Sequence, residues 1–109
     1  MRPNRLIQVV KKWYLVKGYG SGGKFSVGKV LVGKKVKLEL VRPPIETARR
    51  ISLEEALNRD YRVLKQARSG YVNTPFCLIG AVVRIKAVYL KGRWYTTEQI
   101  FRRRLECQA

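Results

Sequence analysis

Residues Lys17–Val41 read K-G-Y-G-S-G-G-K-F-S-V-G-K-V-L-V-G-K-K-V-K-L-E-L-V, with six glycines, six lysines and one acid, Glu39. Val36, Leu38 and Leu40 alternate with Lys35, Lys37 and Glu39, the period of a strand with one buried and one wet face. Lys24–Val27 reads as a shorter strand, and Gly28 and Gly33 bracket the link between the two. Upstream, four glycines between Gly18 and Gly23 predict a mobile loop. Downstream, Arg42-Pro43-Pro44 ends the strand, because proline lacks the ladder donor and restrains the residue before it. That tripeptide, at 42–44, marks a seam between an N-terminal β unit and a C-terminal α/β unit.

On the N-terminal side, Leu6–Val16 is rich in Val, Ile, Trp and Tyr and reads as a first strand. Beyond the seam, Ser52-Leu53-Glu54-Glu55 is a capping-box pattern opening a helix to about Arg68. Leu53, Ala56, Leu57, Tyr61, Leu64 and Ala67 fall on one stripe of that helix. Phe76–Leu90 reads as a long strand, with Ile79, Ala81, Val83, Ile85, Ala87 and Tyr89 on one face. Lys91-Gly92 turns it into a hairpin with Arg93-Trp94-Tyr95. Thr96-Thr97-Glu98-Gln99 then caps a short helix ending in Arg102–Arg104. The expected fold class is α+β: a small N-terminal β unit of three strands, a capped helix, a β-hairpin and a short C-terminal helix. Residues 1–109 suit one domain, and no internal repeat is evident.

Twenty-four Lys and Arg stand against seven Asp and Glu, a formal charge of +17. Such a surface repels itself, and a polyanion is the partner that relieves it. Residues 1–50 carry a net +11 and residues 51–109 a net +6, so the N-terminal half is the expected anion-facing side. The apolar runs are too short for a signal peptide or a membrane span, which predicts a soluble, cytoplasmic protein with no membrane partner. Cys77 and Cys107 are far apart with no histidine to join them, so no metal or other cofactor is expected and both thiols read as reduced. Few Asn and Gln, no His and abundant Lys and Arg point to a thermophilic source.

The segment G-S-G-G-K-F-S-V-G-K-V-L-V-G-K-K-V resembles the AbrB-like swapped-hairpin family of small DNA-binding proteins. The resemblance covers about Leu15–Val41. It implies that two chains interleave their hairpins into one small barrel, hence a homodimer, and that basic loop residues contact DNA. Lys24, Lys29, Lys34 and Lys35 match the basic positions of the pattern, and Gly20 and Ser21 lie in its loop. Gly28 departs from it, standing where the family has proline.

Independently of the family, a glycine-rich loop lets backbone amides approach phosphates while lysines neutralise them. The candidate nucleic-acid contacts are Lys17, Tyr19, Lys24, Lys29, Lys34, Lys35, Lys37, Arg102 and Arg103. No G-x-x-x-x-G-K-[ST] occurs, which excludes a nucleotide P-loop. Among the interleaved aromatics, Trp13 and Phe25 read as core and Tyr19 as the ring with the best claim to exposure. Without histidine or a paired-carboxylate motif, the chain is not expected to be an enzyme. The expected function is nucleic-acid binding, DNA ahead of RNA, as a regulator or chromatin-type protein. The alternatives are an RNA-binding or ribosome-associated protein, or a protein–protein adaptor whose basic surface meets an acidic partner or an anionic membrane.

Overall fold

The computed structural model describes residues 5–20, 22–44 and 50–103. Helix α1 (Arg5–Lys11) leads into strands β1 (Trp13–Leu15), β2 (Lys17–Tyr19) and β3 (Gly22–Val27), a 3-10 turn (Lys29–Leu31) and β4 (Lys35–Arg42). The same series follows: α2 (Arg50–Leu57), β5 (Tyr61–Arg62), β6 (Leu64–Gln66), β7 (Ser69–Thr74), a 3-10 turn (Phe76–Leu78) and β8 (Val82–Leu90). Strand β9 (Arg93–Thr96) and helix α3 (Thr97–Arg103) complete a mixed α+β chain.

The chain is therefore built on an internal repeat, contrary to the sequence expectation. The starts of β2, β3, the 3-10 turn and β4 all recur 47 residues later. Equivalent positions keep their burial rather than their identity: Val9 and Ala56, Phe25 and Val72, Leu38 and Ile85 are all core residues. Identity survives where geometry is least forgiving. Gly33 and Gly80 both follow the 3-10 turn with positive φ, 82° and 87°, a region open to glycine. Gly23 and Gly70 sit so close to neighbouring chain that an added Cβ would reach Val16 Cγ1 at 2.6 Å or Val63 Cγ1 at 2.7 Å. Val16 and Val63 are themselves equivalents. The Tyr14 hydroxyl donates to the Val9 carbonyl (2.7 Å) and that of Tyr61 to the Ala56 carbonyl (2.6 Å). Each bond satisfies an acceptor near the C-terminal end of α1 or α2. Burial pushes both phenols up to about 12.

The two copies interleave. β3 pairs antiparallel with β7, and β4 with β8, so each strand–turn–strand unit crosses from one sheet to the other. One sheet runs β2-β3-β7-β6; the other runs β1-β8-β4-β5, with β9 also on β8. The pairings Phe25↔Val72 and Leu38↔Ile85 join equivalent residues, which places a pseudo-twofold axis through both sheets. Their inner faces share one core, including Phe25, Val72, Leu38, Ile85, Val36 and Val83. Ile100 of α3 joins that core, held by a reciprocal capping box between Thr96 and Gln99 (2.9 and 3.2 Å).

Several expected elements take other forms. Leu6–Val16 is not one strand: Leu6, Val9 and Val10 are buried at helical spacing in α1, and only Trp13–Leu15 is extended. The helix expected over 52–68 spans Arg50–Leu57, then gives way to β5 and β6. Ser52 therefore lies inside the helix rather than capping it; its side chain is outside the described residues. The strand expected over Phe76–Leu90 begins at Val82. Lys24–Val27 and Lys35–Val41 do not form a hairpin together, because β3 and β4 belong to different sheets. Gly18–Gly23 is not an open loop either: Gly18 pairs with Gly23 in the β2–β3 hairpin, and Gly20 turns it with φ 61°. The seam at 42–44 closes the first copy, but the copies share both sheets.

Candidate nucleic-acid interface

The outer face of the five-stranded sheet is laid out by β4 and β8. In β4 the inward Val36 and Leu38 leave Lys35, Lys37 and Glu39 outward. In β8 the alternation slips where Ala87 and Val88 are both buried, a register shift opposite Lys37 and Leu38. The slip turns Tyr89 outward with Arg84 and Lys86, although strict alternation along Phe76–Leu90 puts it in the core. β1 adds Trp13, directly opposite Arg84, and β9 adds Trp94, directly opposite Tyr89.

Rings and cations meet closely on this face. Tyr89 and Trp94 pack edge to face with centroids 5.3 Å apart. Lys37 Nζ lies 4.7 Å from the Trp94 ring centre, and Lys35 Nζ lies 6.0 Å from that of Tyr89. Arg84 Nε donates to Glu39 Oε2 at 2.6 Å; this hydrogen bond and the carboxylate's charge push the guanidinium's pKa up. Lys37 lies 3.9 Å from Asp60. All four charged groups are exposed enough for these pairs to add little to stability.

Trp13 corrects the sequence expectation most sharply. It is 66% exposed, whereas Phe25 is in the core as expected. The signal was present in the chain: with Tyr14 and Val16 turned inward, period two sends Trp13 and Leu15 outward.

The other expected contacts fall elsewhere. Lys17 and Lys24 are cross-strand neighbours on the outer face of the four-stranded sheet. Lys24 reaches Gln66 Oε1 and lies 4.4 Å from the Tyr71 ring centre. Lys29 and Lys34 sit in and just after the 3-10 turn that carries the chain between sheets. Arg102 is paired with Glu98 one helical turn back (2.6 Å), and Arg103 is exposed beside it. Tyr19 lies in β2, but its side chain is outside the described residues, as are Ser21, Arg49 and Arg104. The structure thus joins Lys17 to Lys24 and Lys35 to Lys37, and sets the two pairs on different sheets.

The repeat shows where the charge asymmetry arises. The second-copy equivalents of Lys17, Lys24, Lys29, Lys34 and Lys35 are Leu64, Tyr71, Phe76, Ala81 and Val82. Of the expected first-copy contacts, only Lys37 has a basic counterpart, Arg84. The glycines also change their meaning: Gly23 is demanded by packing against Val16 rather than by a ligand's approach.

Among the described residues, no group of three His, Cys, Asp or Glu side chains could hold a metal ion, and no helix is long and apolar enough to cross a membrane. Comparison with protein-family models, with curated proteins and with solved structures returns no match.

Proposed function

We propose that this chain is a nucleic-acid-binding protein of AbrB-like build, with DNA the favoured partner. The two interleaved units of that architecture would be carried in one chain rather than two. The observation that carries the reading is the exchange of β3–turn–β4 with β7–turn–β8 about a pseudo-twofold axis, the arrangement that the Leu15–Val41 resemblance implies between subunits. Pro75 adds support: it occupies in the second copy the place held by Gly28 in the first, where the family has proline. Pro75 has φ −61° and ψ 158°, against −66° and 160° at Gly28. With 24 cations against seven carboxylates, internal ion pairs leave most of the positive surface uncompensated. The resemblance implies a homodimer; in this reading the chain's own second copy stands where the second subunit would.

Affinity would come from phosphate contacts by Lys17, Lys24, Lys29 and Lys34. The test is a titration of duplex DNA at several salt concentrations. Four such contacts give a slope of about −3 to −4 in log affinity against log salt. Binding that ignores salt, or no binding at low salt, overturns the proposal.

A further inference from the structure

We infer that the outer face of the five-stranded sheet is a base-stacking platform for single-stranded nucleic acid, separate from the surface that carries Lys17 and Lys24. The inference rests on the nucleic-acid reading and specifies a second site with a different partner geometry. Trp13 is its centre. An indole 66% exposed on the outside of a sheet gives up most of the burial that usually fixes tryptophan in a fold. Along β8, Trp13 stands opposite Arg84, and Tyr89, itself 38% exposed, lies five residues further on. At strand rise this separates the two rings by about 15 Å, room for a run of roughly four nucleotides.

The charges between the rings identify the occupant. Lys35, Lys37 and Arg84 lie on the same face, and the carboxylates beside them, Glu39 and Asp60, are already engaged by Arg84 and Lys37. A ligand offering flat π faces joined by anionic links complements rings beside cations; a neutral apolar surface would cover Lys35 and the outward Lys86 of β8 with no counter-charge. A duplex hides its base faces in the stack, whereas an unpaired strand presents them. Lys37 sits close over one side of Trp94, at 4.7 Å, while Lys35 stands farther from Tyr89, at 6.0 Å, which makes Trp13 and Tyr89 the more open stacking rings and Trp94 their neighbour.

The test uses the full chain and its own fluorescence. The protein has two tryptophans, Trp13 and Trp94, both on this face, so indole emission reports on the platform directly. Oligo(dT) and oligo(U) of about twelve nucleotides, and a duplex DNA of the same length, are titrated by emission and by anisotropy of the labelled oligonucleotide. Single strands are expected to quench the emission. Trp13→Ala and Tyr89→Ala should each weaken single-strand binding about 5- to 100-fold and leave duplex affinity unchanged. Lys24→Ala should do the reverse. Both ring residues are exposed, and circular dichroism confirms that the variants fold. A preference between oligo(U) and oligo(dT) that either ring variant abolishes supports the platform, and oligo(dU) then shows whether the sugar or the thymine methyl is read. Single-strand binding that neither ring variant weakens overturns it, as does the lack of such binding while duplex binding persists. If no nucleic acid binds, the platform fails together with the function on which it rests.

Discussion

Gly28 and Val9 offer a test of the repeat at the level of single atoms. A Cβ added at Gly28 would lie 3.1 Å from Val9 Cγ2, inside ordinary contact by a few tenths of an ångström. The second copy holds Pro75 at the first position and Ala56, which lacks those methyls, at the second. A proline at 28 meets no backbone obstacle, since the dihedral angles there nearly match those of Pro75. It removes unfolded-state freedom, a gain of about 0.4–1 kcal/mol, but crowds Val9 at a cost of about 1–3 kcal/mol. Gly28→Pro alone should therefore destabilise by about 1 kcal/mol. Val9→Ala alone trims a buried side chain and should cost about 2 kcal/mol. Added to Val9→Ala, however, Gly28→Pro should stabilise by about 0.5–1 kcal/mol, because the crowding is gone while the entropic gain remains. The same proline thus changes sign with its background. Thermal unfolding of the four proteins reads this as a fall, then a rise, of at least about 4 °C per kcal/mol. Additive effects would show that the two copies do not share their packing rules here and refute the reasoning.

Gly23→Ala and Gly70→Ala should each destabilise the fold by about 1–3 kcal/mol through overpacking, whereas Gly18→Ala, with no neighbouring atom closer than 3.8 Å to the new Cβ, should be close to neutral; equal melting temperatures for all three would contradict the close approaches. Burial raises Tyr14 and Tyr61 from 10.0 to about 12, so the folded state keeps protons that the unfolded chain releases. Their contribution is complete below about pH 10 and is lost as pH rises through about 12. Changing both tyrosines to phenylalanine should flatten stability across that window, and parallel decline of wild type and variant would count against it. Glu39→Gln frees Arg84 from its ion pair. Stability should change by less than about 0.5 kcal/mol, while single-strand affinity rises and its salt slope steepens by up to about one; an unchanged slope would mean that Arg84 does not face phosphate.

The alternation Val36-Lys37-Leu38-Glu39 needed no structure to interpret, nor did the Lys91-Gly92 turn or the capping box of Thr96 and Gln99. The repeat was invisible because equivalent positions share burial and not side chain: Phe25 answers to Val72 and Val27 to Thr74. The misassigned helices share one cause. Ile7, Val9 and Val10 carry the β-branched bias of a strand, but Leu6, Val9 and Val10 are buried at helical spacing, and packing decided for the spacing. Tyr61 continues the helical stripe of Leu53 and Leu57, yet it also begins a period-two run with Val63, and Asn58 and Asp60 are poor residues for continuing the helix. Tyr89 could not be placed from alternation, since the slip in β8 depends on how that strand meets β4.

Joining two interleaved halves in one polypeptide releases each from having to match the other. Subunits encoded by one message must present the same side chain on both sides of their axis, and so are best suited to palindromes. Here Lys24 faces its own counterpart, Tyr71, across the axis, a cation on one side and a phenol on the other. A partner laid over that axis would meet a surface with a head and a tail, and the proposed binding would have a defined polarity.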